Sequence, residues 1–233
     1  MDPKRVVVFF DWQNVYKRAR HAFFDEHDED HTRGQTDAVD LALTLLEKTR
    51  ARHDPDVLEL EQIRIYRGRP TQQQDAKGYN AFQRQDGRWR RNNKIHTVYR
   101  DLKYPWDWGQ PGCEEKPREK GVDVAIAVDL VTMAREEAYD IAILMSADFD
   151  LQPAVDYVQH RHHMRGETPV LEVAAWKAEA GARPLRLKAK NLALHCHWLD
   201  RQDYYGAEDS TNYRLAPDER KPVTGPWPGG WLR

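Results

Sequence analysis

The sequence predicts an α/β fold built on a central, mainly parallel β-sheet. Short apolar runs rich in β-branched residues lie at 6–10, 63–66, 95–99, 141–145 and 170–176. Helical patterns separate them, and this alternation is typical of a parallel sheet with right-handed crossovers. The first and fourth runs are apolar almost throughout, which indicates central strands covered on both faces. With 233 residues the chain can bury one sizeable core.

Three of the intervening segments have helical patterns. Residues 37–53 begin with Asp37, whose side chain can cap a helix. Residues 121–138 are apolar almost all round, which predicts a buried helix. Residues 151–163 carry Pro153 in the first turn, where proline is tolerated. These segments supply the helices that such a sheet requires.

Three further segments fit neither pattern. Residues 21–36 are acidic and contain histidines, and residues 103–119 are rich in Pro, Gly and Trp. Both indicate loop insertions, and a long loop inside a compact domain is often functional. We therefore expect one domain over residues 1–209 and an extended tail over 210–233. The tail is expected to be disordered or to pack on the body or on a neighbouring subunit, which leaves a homo-oligomer open.

Composition favours a globular protein of the cytoplasm. The formal net charge is −2, so contacts with nucleic acid would depend on local basic patches. No apolar run approaches the roughly 20 residues that span a bilayer, and no membrane contact is expected. Cys113 and Cys196 lie far apart without metal-ligand spacing. Such cysteine usage fits a reduced compartment.

Acidic residues follow the predicted strands at corresponding positions. Asp11 ends the first run, Asp148 and Asp150 follow the fourth in "SADFD", and Asp123 opens the buried helix. Ligands of open parallel sheets bind beyond the carboxyl ends of the strands, where the strand order reverses. If the first and fourth strands are neighbours, these carboxylates converge and repel each other unless a cation is present. Mg²⁺ or Mn²⁺ suits such oxygen ligands.

Each of these acids also has a simpler explanation, since aspartates often cap helices and close turns. Asp123 and Asp129 are separated by roughly 120° around a helix, so both cannot face one metal ion. Asp123 is the better ligand. Asp129 is as well explained by a supporting or structural role, because a buried charge requires a partner.

Together these motifs resemble a known family. "FFDWQNVY" at 9–16 and "KGVDVAIAVDLVTMAREEAYDIAILMSADFDLQPAV" at 120–155 are similar to the NYN, or LabA-like, branch of PIN-like nucleases. The family pattern is D-x-x-N after a strand, K-G-V-D with a second Asp six residues on, and S-x-D-x-D after another strand. The resemblance extends over about residues 5–176. It implies a three-layer, Rossmann-like PIN-like fold and metal-dependent hydrolysis of phosphodiester bonds, usually of RNA.

The resemblance also assigns roles by motif. It implies that the metal-site acids are Asp11, Asp123, Asp148 and Asp150. The groups that orient a ligand or phosphate would be Asn14 and Ser146, while Asp129 matches the second helix acid. The implied cofactor is Mg²⁺ or Mn²⁺. The insertions and the tail depart from the pattern, which affects substrate choice rather than chemistry.

RNA would need basic groups beside these acids. Candidates that could bind phosphates, or stack on a base, are Arg67, Arg84, Arg88, Trp89, Arg90, Arg91 and Lys94. A solvated basic turn explains the segment 84–94 equally well. Trp106 and Trp108 are further candidates for stacking, although packing within their own loop is the simpler explanation.

The leading hypothesis is a metal-dependent endoribonuclease that acts on single-stranded RNA. One alternative is a catalytically weak RNA-binding or regulatory module, which would not need four repelling acids. Another is a phosphohydrolase or DNase that uses the same acidic site.

Overall fold

The computed structural model describes residues 2–25, 27–53, 58–166, 169–178, 185–190 and 192–217. Within them, strands and helices alternate as the sequence predicts. The strands are β1 Lys4–Asp11, β2 Leu58–Arg69, β3 Ile95–Asp101, β4 Ile141–Met145, β5 Val170–Trp176 and β6 His195–Leu199. The helices are α1 Trp12–Phe23, α2 Ala38–Arg50, α3 Ala76–Trp89, α4 Val122–Arg135, α5 Gln152–Arg165 and α6 Arg201–Gly206. Every predicted apolar run therefore lies in a strand.

The strands form one sheet in the order β3-β2-β1-β4-β5-β6, and all neighbouring pairs are parallel. The strand order reverses between β1 and β4, which pair from Val6 opposite Ile141 to Phe10 opposite Met145. The expectation that the first and fourth strands are neighbours is confirmed. The switch point thus lies in the middle of the sheet, between β4, which is buried throughout, and β1, which is buried from Val6 to Asp11.

Helices cover the sheet on both faces, which gives the expected three layers. Val6, Val8 and Phe10 of β1 face a core shared with α1, α2 and α6. Val7 and Phe9, which alternate with them, face a second core shared with α4 and α5. Each of these five β1 side chains is fully buried. The continuous apolar run of β1 therefore reflects burial on both faces of the sheet.

The predicted helix starts agree with the structure. Asp37 caps α2, since its side chain accepts hydrogen bonds from Val39 N (2.9 Å) and Asp40 N (3.2 Å). Pro153 lies in the first turn of α5. The prediction for α4 was partly wrong, because Val124 and Val128 are 58% and 56% exposed. One face of α4 packs on the sheet, and these valines lie on the other.

The first insertion and the start of the tail pack against each other. Residues 21–23 belong to α1, and the other described residues of 21–36 form a loop. In that loop, His31 Nε2 lies 3.0 Å from Asn212 Oδ1, and Thr36 forms a β-bridge with Glu208. Residues 210–217 therefore lie on the body of the domain. The rest of the predicted tail, 218–233, lies outside the described residues.

Two expectations from composition concern the membrane and the thiols. No described helix combines the length and apolar character needed to cross a bilayer. Cys113 and Cys196 are both free thiols, and Cys196 is buried in β6.

A buried ionic cluster joins β5 and β6 to the end of α2. Glu172 is 1% exposed, and its carboxylate lies 2.5 Å from His197 Nε2, 3.2 Å from His53 Nε2 and 3.1 Å from Arg52 Nε. Burial alone would raise the pKa of Glu172, but the hydrogen bond with His197 and the neighbouring cations lower it to about 2. The carboxylate thus links the edge of the sheet to α2.

Replacing this carboxylate should destabilise the fold. We expect Glu172→Gln to reduce the free energy of unfolding by about 3 kcal/mol, because buried partners lose their counter-charge. The folded pKa of about 2 lies below the ordinary value of 4.5. The contribution is therefore complete above pH 4.5 and is lost as the pH falls towards 2. Urea unfolding across this range measures both effects.

Glu114→Gln, at an exposed loop position, is the matched control and should leave stability unchanged. Equal acid sensitivity in the wild type and in Glu172→Gln would contradict the assignment.

Candidate active site

A chain of hydrogen bonds joins two of the sequence motifs at the switch point. Asp11 ends β1 and Ser146 directly follows β4, so the pairing of these strands brings them together. Ser146 Oγ donates to Asp11 Oδ2 (2.9 Å) and accepts from Asp148 N (3.1 Å). Asp148 Oδ1 accepts from Asp150 N (3.0 Å). A buried serine hydroxyl therefore fixes the relative positions of the motif acids.

Asn14 provides a second link between the same motifs. Its backbone N–H donates to Asp11 Oδ1 (3.2 Å), so Asp11 caps α1. Its side-chain Oδ1 accepts from Ala147 N (3.1 Å), which ties the first turn of α1 to the loop after β4. Capping and site formation are therefore compatible roles for Asp11. The amide of Asn14 keeps its Nδ2 group as a hydrogen-bond donor beside the site.

Asp123 reaches the site because of the residue that starts α4. Gly121 has a φ of +77°, a left-handed conformation that glycine adopts without the strain a side chain would cause. This turn directs the chain into α4 and places the half-buried Asp123 in its first turn. The Gly of the K-G-V-D motif is thus explained by backbone conformation.

The four predicted acids line one open concavity of about 560 Å³ at the carboxyl ends of the strands. We call it the acidic hollow; its carboxylates are Asp11, Asp123, Asp148, Asp150 and Glu119. Asp11 is 7% exposed, whereas Asp150 is exposed. The hollow therefore extends from a buried floor to solvent.

Glu119 is the member of the hollow that the sequence did not reveal. Gly68 N donates to Glu119 Oε1, and a Cβ atom on Gly68 would lie 2.7 Å from Glu119 Cγ. Burial raises the pKa of Glu119, and the nearby Asp123 adds to this effect. The loop that carries Glu119 is closed by a β-bridge between Lys103 and Arg118. The only sequence signal was its position directly before the K-G-V-D motif.

The ionised form of Asp11 is destabilised by its surroundings. Burial, together with the negative charges of Glu119 and Asp148, raises the pKa of Asp11 to about 6. The hydrogen bonds from Ser146 and Asn14 oppose this rise. An added cation would relieve the repulsion between these carboxylates.

The donor set of the hollow fits a hard divalent cation such as Mg²⁺ or Mn²⁺. Such ions favour carboxylate oxygens. Within the described ranges, no three His, Cys, Asp or Glu side chains are arranged to hold an ion between them. A hydrated Mg²⁺ ion does not need such a cage, because it uses one or two carboxylates, several waters and substrate phosphates. The fit is therefore to an open site completed by water and substrate.

Asp129 lies outside the hollow. Its carboxylate accepts hydrogen bonds from Arg64 Nη2 and from Tyr66 OH (2.8 Å), both on β2. It fixes α4 to the sheet. Of the two roles that the sequence left open, the structure supports the structural one.

The basic segment 84–94 does not reach the hollow. Arg84 donates to Tyr213 O (2.8 Å), and Arg88 forms ion pairs with Asp37 (2.9 Å) and Asp209 (3.3 Å). These contacts hold α3 against α2 and the start of the tail.

Placing Trp89 as a base-stacking residue was wrong. It is 2% exposed, and its ring packs edge-on against Trp12 at 4.9 Å between centroids. Arg90, Arg91 and Lys94 lie between the end of α3 and the start of β3. A crossover helix runs antiparallel to the strands that it connects, so its end lies near the amino end of the next strand. These three residues therefore lie at the amino ends of the strands, whereas the hollow lies at their carboxyl ends.

Other basic side chains surround the hollow. Along its rim and the adjoining groove are Lys17, Arg18, His21, Lys116, Arg118 and Lys120. Asn14, Lys17, Arg18 and His21 have the i, i+3, i+4, i+7 spacing of one helix face, which was the available sequence signal. Arg67, the remaining predicted residue, lies in a neighbouring cleft described below.

The loop tryptophans behave differently from each other. Trp108 Nε1 donates to Gln74 O (3.0 Å), and its ring contacts Tyr104. It therefore packs locally, whereas Trp106 is 97% exposed.

A doubly wound, all-parallel sheet with carboxylates at its switch point defines the class of Rossmann-like, PIN-like α/β proteins. Within this class, the family model of the NYN domain matches residues 5–168, and the chain belongs to that family. NYN domains are generally nucleases, which at a coarse level makes the protein a hydrolase. Neither the curated proteins nor the solved structures contained a match.

The repulsion in the hollow leads to a prediction about stability. Asp11→Asn can keep both hydrogen bonds if its Oδ1 accepts from Asn14 N and its Nδ2 donates to Ser146 Oγ, and it removes a poorly solvated charge. We expect its Tm in chelator to exceed that of the wild type, by about 2–4 °C for each kcal/mol added to the free energy of unfolding. Mn²⁺ should raise the Tm of the wild type, and Asp11→Asn should lose most of that increase.

Asp140→Asn is the control, and its effect on stability should be opposite to that of Asp11→Asn. Hydrogen bonds and charge from Arg5 lower the pKa of Asp140 against the effect of burial, so this variant should be less stable than the wild type. Lower stability of Asp11→Asn, or an unchanged response to Mn²⁺, would contradict the electrostatic explanation.

Proposed function

We propose that this protein is a metal-dependent endoribonuclease that hydrolyses phosphodiester bonds of single-stranded RNA. The main support is that five carboxylates line one open hollow at the switch point of an NYN-family fold. Repelling charges are costly to gather, and a binding module would not need them.

The residues of the hollow have separable roles in this proposal. Asp11, Asp123, Asp148 and Asp150 would hold Mg²⁺ or Mn²⁺, directly or through the waters of the ion. The ion would supply an activated water and stabilise charge on the leaving oxygen. Ser146 and Asn14 hold Asp11 and the loop after β4 in place. Asn14 Nδ2 is the donor left to orient a phosphate oxygen.

Water is the nucleophile that this site supports. The described residues that line the hollow include no Ser, Thr, Cys or His. Covalent catalysis by a hydroxyl, thiol or imidazole requires such a side chain next to a base, so these nucleophiles are missing from the described lining. Hydrolysis by water needs only the acids that are present.

The cations at the rim would hold the backbone of the substrate. Lys17, Arg18 and Lys120 lie beside carboxylates that would otherwise repel RNA. Lysine and arginine neutralise phosphates irrespective of sequence. An unpaired strand can bend to bring one phosphodiester into the hollow.

Cleavage should depend on both the metal and Asp148. We expect Asp148→Asn, assayed on labelled single-stranded RNA with Mn²⁺, to lose more than about 100-fold in rate. Even groups that only orient metal ligands are worth 10–100-fold. An asparagine can still accept from Asp150 N, so the local turn should survive.

The control is Asp101→Asn, which changes an acid 52% exposed at the end of β3. RNA, single-stranded DNA and a generic phosphate ester are assayed side by side, with and without chelator. Cleavage that survives both Asp148→Asn and chelator would refute the proposal. Preference for the ester or for DNA would support the alternative hydrolases on the same site.

RNA affinity should depend on the rim and not on the segment 84–94. We expect Lys17→Ala with Lys120→Ala to lower the slope of log affinity against log salt by about 1.4, since each phosphate contact of a single strand contributes about 0.7. Fluorescence anisotropy in chelator measures this without cleavage.

Arg90→Ala with Arg91→Ala removes the same charge at the opposite edge of the sheet and serves as the matched pair. If Arg90→Ala with Arg91→Ala lowered the salt slope more than the rim variant does, RNA binding would be assigned to the segment 84–94 instead.

A further inference from the structure

A second concavity adjoins the acidic hollow. It has a volume of about 300 Å³ and lies between α1, the loop before α2, the end of β2 and α3. We call it the side cleft. Gln13 and Glu119 line both the side cleft and the hollow. Its volume is at the lower end of the roughly 300–1,000 Å³ that small-ligand sites occupy.

The walls of the side cleft are largely aromatic. Trp12, Phe82 and Tyr213 are 7%, 3% and 6% exposed, and Tyr16 is half-buried. Tyr16 is held in place by its hydroxyl, which donates to His31 O (3.1 Å). The partly exposed ring of Tyr16 can stack with a nucleobase, and the buried rings form an apolar wall behind it.

Arg67 lies within the side cleft without a close counter-charge. Its Cζ is 4.7 Å from the ring centroid of Phe82, and its Nη1 donates to Gln85 Oε1 (2.5 Å). Asp86 pairs with Arg90 (2.6 Å), and Glu119 accepts from Gly68 N. Both acids attract the charge of Arg67, but no ion pair joins either of them to it among the described residues. Burial lowers the pKa of Arg67 to about 10. Its remaining N–H groups are available to a ligand.

A second polar group in the lining is unsatisfied. Thr36 is 1% exposed and belongs to the residues that line the side cleft. Its hydroxyl oxygen is buried and has no hydrogen-bond partner among the described residues. Buried hydroxyls are rarely left unpaired, because each costs about 1–3 kcal/mol. Thr36 therefore leaves, within the wall of the side cleft, a hydroxyl that no described residue satisfies.

We propose that the side cleft binds one unpaired nucleobase of the RNA, with guanine as its preferred base; this assignment rests on the proposed function. Arginine only donates hydrogen bonds, and guanine presents two adjacent acceptors, O6 and N7. Adenine places a donor beside N7, which cannot pair with Arg67 in the same way. The carboxylate of Asp75, also in the lining, can accept from the N–H groups of guanine.

Glu119 connects the base to the chemistry. Because it lines both concavities, a nucleotide whose base occupies the side cleft has its phosphodiester beside the acidic hollow. Cleavage is then directed to a bond next to guanine. The side cleft thus selects the position of the cut, and the hollow performs it.

The test uses binding of labelled hexanucleotides in chelator, one of uridines only and one with a single guanosine. We expect the wild type to bind the guanosine oligonucleotide about 10-fold more tightly, as a bidentate arginine contact provides. Ala81→Phe places a ring in the side cleft from α3 and should abolish the preference. Ala76→Phe, an exposed position of the same helix, is the matched control and should retain it.

Arg67→Met provides a second, independent variant. It should lose the preference for guanosine while keeping affinity for the uridine oligonucleotide, and circular dichroism checks its fold. Equal binding of both oligonucleotides by the wild type, or an unchanged preference in Ala81→Phe, overturns the assignment.

Cleavage in Mn²⁺ separates this inference from the proposed function. Equal, metal-dependent cleavage of both oligonucleotides would overturn the guanine site and leave the nuclease intact. Preferential binding of guanosine without cleavage would support the side cleft and refute the nuclease.

Discussion

The pairing of β1 with β4 is the constraint on which the site depends. The two strands are separated by more than a hundred residues in sequence, yet they are hydrogen-bonded neighbours in the middle of the sheet. Only this pairing brings Ser146 within 2.9 Å of Asp11. Both strands are buried on both faces, so any change in their register would disrupt the packing of the two hydrophobic cores. The geometry of the acids is thus stabilised by side chains that take no part in it.

Much of this could be predicted because it depends on local pattern and on one rule of topology. β-Branched runs predicted the strands, and Asp37 predicted the start of α2. Three acids after strands and Asp123 at the start of α4 predicted four members of the hollow. The rule that ligands lie beyond the carboxyl ends of parallel strands supplied their convergence. The burial of individual α4 residues was less predictable, because the sequence alone does not distinguish a valine on the outer face of a helix from a valine in the core.

What could not be predicted depends on partners distant in sequence. Glu119 follows no strand, and it joins the site only because its loop returns to Gly68. The charges of the segment 84–94 were visible, but their ion pairs with Asp37 and Asp209 were not. Asp129 matched the family pattern yet is held by Arg64 and Tyr66. Residue type and spacing identify the side chains that could bind a metal ion or a phosphate. Tertiary contacts determine which of these side chains are already engaged in ion pairs or hydrogen bonds.

Gly68 shows how a site can depend on a residue without a functional group. Its N–H holds Glu119, and the space that its missing side chain leaves is occupied by Glu119 and Leu102, whose Cδ2 would lie 2.3 Å from a Cβ atom. Every other amino acid would displace the wall common to the hollow and the side cleft. A side chain at position 68 would therefore have to shift the side chains of Glu119 and Leu102, so the site constrains this position although glycine carries no functional group. Mutational tolerance and chemical role are separate properties, and a map of one does not identify the other.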